Sequence, residues 1–265
     1  MTSCGRAALL ALLLAGATPA AAAPVELLSH RAAYRLSLAD GIGSDSSLLA
    51  VRGALVMEWR ASCEGWLSTQ QMGFVAEAAE GPGFSYDVRL SSWESPDNTR
   101  LRFNVRTFEG GRPEAYRGQA ALESLGGSGT AQYVEPEPSE LELPAGTLFP
   151  SEHIRRLITA ARSGQSVVTH EVFDGSGPDA LARITAVIGK AREVADDGSG
   201  TSRTRWPVTL AYYEIDDTSD ATPEFELDFL LGDDGVLRDV VLKYGEFTLR
   251  ADLDKLETFE RPVCE

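Results

Sequence analysis

The sequence is short of the residues that most often carry chemistry, and of positive charge. It holds three cysteines, three histidines and only three lysines among 24 basic residues. No two histidines stand at H-x-H or H-E-x-x-H spacing, so His30, His153 and His170 would have to converge from separate elements to bind zinc. A phosphate loop of the G-x-x-x-x-G-K-[ST] type is missing, as are a strand-led G-x-G-x-x-G and any S-x-x-K. Gly126 to Gly129 contains part of a nucleophile elbow, but Thr130 stands where its last glycine belongs. The pairs Asp196/Asp197 and Asp233/Asp234 and the group Asp216, Asp217 and Asp220 fall in turns without the alternation of a calcium loop, and read as solvated turns. These absences point to a binding scaffold rather than an enzyme, with no catalytic residue, cofactor or metal site to assign. The 24 basic residues face 40 acidic ones, a formal charge of -16, which excludes a nucleic-acid binder that works by neutralising phosphates.

Long apolar runs are also scarce. The one at the start, Ala7 to Ala15, follows Arg6 and precedes small residues through Ala23; it is too short for a comfortable span and reads as a cleaved secretory signal over residues 1–23. Cys4 lies before that run, so it is no lipid-attachment site. Residues 24–265 contain no transmembrane run and read as one domain, with a hydrophobic content of 43% over the chain that is ample for a core.

Export gives the two remaining cysteines a meaning. In an oxidising compartment Cys63 and Cys264, 201 residues apart, are most simply a structural disulfide that ties the chain end to an early strand. Free or intermolecular thiols, or a redox or metal pair, are the alternatives, although a redox pair more often stands as C-x-x-C.

Strand patterns dominate what is present. Tyr34, Leu36 and Leu38, then Phe84, Tyr86, Val88 and Leu90, then Leu101, Phe103 and Val105 alternate with polar residues, which means one apolar face and one wet face. Similar runs at 51–60, 66–74, 167–173, 182–194, 207–215, 225–231, 236–244 and 247–251 bring the expected total to about eleven strands or more. Gly232-Asp233-Asp234-Gly235 and Asp197-Gly198-Ser199-Gly200 are hairpin connectors, so the fold class is all-β, an antiparallel meander. The stretch from Gly126 through Pro136, Pro138 and Pro144 reads as irregular, and Leu253 to Phe259 as either a short helix or a last strand.

One segment has helical periodicity. Ile154, Leu157, Ile158 and Ala161 form an apolar stripe, Ser151 stands where it can cap the start, Glu152 and Arg156 form an i,i+4 pair, and Gly164 can stop the helix. The stripe needs a sheet to cover. Trp59, Trp66, Trp93 and Trp206 lie in or beside strands and are candidates for core packing or for a greasy platform on a concave face. Tyr212 and Tyr213 are consecutive in a strand and must point to opposite faces.

The segments Ala50 to Trp66, Leu143 to His153 and Leu242 to Leu253, with the late Cys264, resemble the EipB-type cell envelope integrity family of alphaproteobacteria. The resemblance implies a periplasmic protein whose long sheet coils into a β-spiral or open barrel, broadly like the LolA and RseB folds, with one packed helix at Ser151 to Arg162. It also implies that the family disulfide maps onto Cys63 and Cys264. The implied role is support of envelope integrity and stress resistance through protein–protein interaction, with a periplasmic tetratricopeptide-repeat partner. The alternative is a carrier or sensor that binds lipid, lipoprotein or peptide in the concave face.

Overall fold

A computed structural model describes residues 24–39, 48–177, 179–195, 200–215 and 222–264. The signal-peptide reading, the connector at 197–200 (apart from Gly200) and the acidic turns at 196–197 and 216–220 lie outside the described residues. Among the described residues sixteen strands and one helix follow one another: β1 His30–Leu38, β2 Leu48–Ser62, β3 Gly65–Ala78, β4 Phe84–Glu94, β5 Arg100–Glu109, β6 Arg112–Leu122, β7 Gly129–Glu135, β8 Ser139–Leu143, β9 Thr147–Leu148, α1 Pro150–Arg162, β10 Val167–Phe173, β11 Leu181–Ile188, β12 Arg192–Glu193, β13 Thr204–Glu214, β14 Phe225–Gly232, β15 Leu237–Tyr244 and β16 Thr248–Thr258.

The strands form a single sheet in the order β8-β7-β6-β5-β4-β3-β2-β1-β16-β15-β14-β13-β11-β10-β9, with β12 paired to β13 outside that path. Successive pairs are antiparallel except β9 with β10. The meander and its alternating faces are therefore as the sequence implies, and β1 pairs along its length with β16. Leu253 to Thr258 resolves as strand. Register shifts at Ala33/Tyr34, Arg117/Gly118 and Asp228/Leu230 add bulges, which increase local twist and help the sheet to coil.

The two ends of the sheet path, β8 and β9, are joined by residues 144–146 alone, so the coil is a nearly closed barrel with a seam. Side chains rather than ladder hydrogen bonds fill that seam. Phe103 of β5, Tyr133 of β7 and Phe173 of β10 meet edge to face at 5.2–6.5 Å, and the Tyr133 hydroxyl donates to Gly177 O at 2.8 Å. Edge-to-face contact suits the ring quadrupoles. The approach is close enough to demand glycine at two places: a Cβ on Gly118 would lie 2.7 Å from Phe103 Cζ, and one on Gly175 would lie 2.3 Å from Phe103 Cγ.

The region read as irregular is structured: it supplies β7 and β8, whose inward residues Ala131, Tyr133 and Leu143 are buried. Glycine and proline flanks hid two short strands. The helix starts at Pro150 and Phe149 is its N-cap residue with no side-chain cap, so Ser151 is not the cap expected of it. Ser151 lies two positions past the cap, as the second residue of the helix, and bonds Glu94 instead. Leu157 and Ile158 are fully buried, Ala161 is buried and Ile154 packs against the same core. After Ser163, Gly164 takes a φ of +76°, and Gln165 N–H returns to Ala160 O, which ends the helix.

Candidate functional site

The barrel has two unlike ends. The helix closes one. Its Ser151 reaches Glu94 at the end of β4, its Ile154 packs near Gly235 in the β14–β15 turn, and Arg162 pairs with Asp233 in the same turn at 2.6 Å. Trp66, at the start of β3, lies beneath the guanidinium groups of Arg155 and Arg261 at 5.6 and 5.8 Å. The turn at the end of β2 holds Cys63, bonded to Cys264 with Cα atoms 5.5 Å apart, so the chain terminus is secured at this end.

At the other end an arc of rings runs over five strands and a turn. Tyr212 meets Phe225 at 5.3 Å, Phe225 meets Tyr244 at 5.0 Å and Tyr244 meets Phe247 at 5.0 Å; Phe247 meets Phe74 at 6.4 Å, and Phe74 stacks on Tyr86 at 5.5 Å. Cross-strand register makes the arc: Phe225 lies opposite both Tyr212 and Tyr244, and Phe74 opposite Tyr86.

Between the helix and the arc is an interior cavity of about 480 Å³. Met57, Met72 and Val88 line it from one half of the chain, and Val172, Ile184, Leu227 and Leu242 from the other. Tyr86, Tyr212 and Tyr244 also face it, and among the described residues their hydroxyls have no hydrogen-bond partner. Burial raises all three phenols above the ordinary range, so each hydroxyl keeps its proton and is both a donor and an acceptor. Asp174, at the end of β10, accepts a hydrogen bond from Ser176 N at 2.8 Å, and burial raises its carboxyl above the usual range. An apolar volume with a few polar contacts at one mouth suits the retention of an elongated apolar molecule.

None of the four tryptophans lines this cavity. Trp66 and Trp206 are buried in the main core, Trp59 packs half-buried against it, and Trp93 faces the outer surface. The tyrosine arc was hidden because its members come from five separate strands and a turn; the sequence signals that touched it were the Tyr212/Tyr213 pair and Tyr86 in its alternating strand.

The structure also joins two histidines that the sequence keeps apart. His153 of α1 and His170 of β10 have ring centroids 5.4 Å apart, and His153 Nε2 and His170 Nδ1 are buried without hydrogen-bond partners among the described residues. Burial, reinforced by His170, lowers His153 to about 3, and burial followed by Arg156 lowers His170. Both rings are therefore neutral. His30 is buried elsewhere, its Nδ1 2.8 Å from Leu28 O. Among the described residues no three His, Cys, Asp or Glu side chains are grouped to hold a metal, and no helix is long and apolar enough to cross a membrane.

A profile of the EipB-like family matches residues 21–260. The chain belongs to the EipB-like family. It is 33% identical over 254 residues to the cell envelope integrity protein EipB of Brucella abortus strain 2308, an alignment covering 93% of this chain and 89% of that one. It also resembles the crystal structure of a β-barrel-like protein of a domain of unknown function from Brucella abortus, with a TM-score of 0.79 and 31% identity over 89% of this chain and all of that one. The periplasmic location implied by the sequence resemblance goes with membership of the EipB-like family.

Proposed function

We propose that this protein supports cell envelope integrity in the periplasm as a non-enzymatic binding scaffold, exported by removal of residues 1–23 and folded as one domain over 24–265. The observation that carries this reading is likeness along nearly the whole chain to a protein named for envelope integrity. The frame is built to stay closed: β1 is locked to β16, the seam is filled with rings, and the terminus is held by a disulfide. Its outer surface serves protein–protein contact, and a periplasmic tetratricopeptide-repeat protein is the partner the family resemblance suggests. A strain lacking the gene should become sensitive to detergents and cell-wall antibiotics, and the exported chain should restore resistance. Failure of the exported chain to do so would defeat the reading.

The cavity favours a second reading, a carrier or sensor for lipid, lipoprotein or peptide. A lumen of about 480 Å³ with unpartnered hydroxyls at its mouth is more room than a filled core leaves. Mass spectrometry of natively extracted protein should find a stoichiometric apolar ligand, and Leu242→Trp, which fills the lumen, should lose it. Recovery of buffer components alone would reject the carrier reading and leave the scaffold.

A further inference from the structure

The outer face of β3 to β7, which plays no part in the lumen, carries a groove of about 580 Å³. Cross-strand register builds it in two rows. Leu67, Trp93, Arg102, Gln119 and Gln132 lie side by side across five strands, and Ser91, Asn104 and Arg117 run beside them. The Arg102 guanidinium sits over the Trp93 ring, 5.1 Å from its centre, so a cation-aromatic pair lies in the middle of the groove.

The charge on this face is opposite to that of the chain. The protein carries -16 overall, yet Arg100, Arg102 and Arg106 occupy outward positions along β5 and none has a carboxylate within 4 Å among the described residues. The acids beside them are Asp87, Glu135 and, at the end of the row, Glu140, which accepts from Gln132 Nε2 at 3.4 Å. Asp87 is taken by Arg89 at 3.1 Å, and Glu135 by Arg117 at 2.7 Å with Arg106 also near enough to hold that carboxyl low. Charges act over about 8 Å at physiological salt, so a ligand in the groove feels these arginines more than the distant acidic turns.

The other groups narrow the ligand class. Strands β4 to β6 are each paired on both sides, so the groove offers a peptide no free ladder edge. Its recognition groups are side-chain amides, guanidinium groups and one indole. Amides and guanidinium groups bond hydroxyls and acid groups in fixed directions, and the indole presents an apolar plane to the C–H face of a pyranose ring. A lipid surface would make no use of three carboxamides in a concavity. The geometry points to a binding site for a saccharide chain that carries acid groups, uronate carboxylates or phosphates, laid across the outer face of β3 to β7 with Trp93 and Arg102 at its centre.

The test is calorimetric titration of the oxidised, exported chain at physiological salt. The probes are an oligogalacturonate hexamer, a phosphorylated mannan oligomer, neutral cellohexaose, oligoglutamate of matched charge and phosphatidylglycerol vesicles. One or both acidic saccharides should bind, which identifies the anion, and cellohexaose should not. Arg102→Gln and Trp93→Ala should each weaken binding about tenfold or more with melting temperature held. If Trp93→Ala fails to fold, Gln119→Ala with Gln132→Ala should show the same loss. Equal binding of oligoglutamate, preference for vesicles, self-association through this face, or no binding of either acidic saccharide would overturn the assignment.

Discussion

Glu94 of β4 lies across the first turn of α1, its carboxyl 3.0 Å from the Ser151 backbone N–H and 2.6 Å from the Ser151 hydroxyl. That hydroxyl is also 2.8 Å from Asn98 Oδ1. A serine has one proton to give, so it cannot donate to both oxygens. A proton on Glu94 lets both contacts be hydrogen bonds: Glu94 donates to Ser151, and Ser151 donates to Asn98. Burial, only partly opposed by the Ser151 contacts, raises the Glu94 carboxyl to about 7, which agrees with that arrangement. The carboxyl is a hinge pin between sheet and helix.

For Glu94 the folded value lies above the unfolded one, so the native state binds the proton more tightly. The stabilisation is full below the unfolded value of about 4.5 and declines as pH rises through about 7. Glu94→Gln keeps the contacts without the titration. Its urea stability should lack this decline, and above pH 7.5 it should match or exceed the wild type, by up to about 3 kcal/mol on the linkage relation. A variant with the wild-type slope between pH 4.5 and 7 would show that Glu94 does not titrate there.

His153 should act in the opposite sense. Its folded value of about 3 lies below the unfolded 6.5, so its contribution is full above pH 6.5 and is lost as pH falls toward 3. The facing groups are His170, Glu152 and Arg156; Arg156 pairs with Glu152 at 2.7 Å and discourages a second positive charge on His170. His153→Phe fills the site without a proton acceptor and should flatten the acid limb of the stability curve. Combined with Glu94→Gln it should leave only the slope that the remaining histidines lowered by burial, His30 and His170, contribute below pH 6.5, read by urea melts between pH 4.5 and 6.5.

Cys63 and Cys264 close a loop of 201 residues, and both lie exposed at the helix end of the barrel. Chain-closure entropy puts the stabilisation at about 5 kcal/mol as an upper figure. Cys63→Ser should lose stability to the same extent as the wild type does on adding dithiothreitol, and reductant should not move the variant further. Identical melting of oxidised and reduced wild type would show that the tail is held without the bridge. Phe259 argues for a partial hold, since its N–H reaches Ser29 O at 2.8 Å and Arg60 covers its ring at 3.9 Å.

The strands that alternate cleanly were legible because each has one buried face: Leu101, Phe103 and Val105 point inward while Arg102, Asn104 and Arg106 point out. The stripe of α1 was legible for the same reason. In β6 the same alternation appears only toward Ala120 and Leu122, and β8 contributes one fully buried residue, Leu143, so neither stood out. Ser151 misled because a serine near a helix start favours capping locally, and a carboxyl 57 residues earlier in the chain outcompetes that preference. A concave binding face was one of the sequence readings, but the extent and lining of the cavity could not be read. Its depth depends on how far the sheet coils, and Met57, Leu227 and Tyr244 share a wall only because β2 and β14–β15 come together in space.

Gly175 provides a test of the seam itself. It has a φ of +75°, and an added Cβ would meet Phe103 at 2.3 Å, whereas Gly110, at +54°, would place a Cβ in open space. Gly110→Ala therefore bears only the backbone cost of the left-handed region, about 1 to 2 kcal/mol. Gly175→Ala bears a comparable cost and must also displace a ring packed on Tyr133 and Phe173. The difference between the two variants in urea unfolding isolates the contact, and Gly175→Ala should be the less stable by about 1 to 3 kcal/mol. Shrinking the ring should return part of that loss, so Phe103→Leu should cost less in the Gly175→Ala background than in the wild type. Equal costs in both backgrounds would mean that Phe103 and residue 175 do not touch, and that the seam between β5 and β10 is closed by something other than this packing.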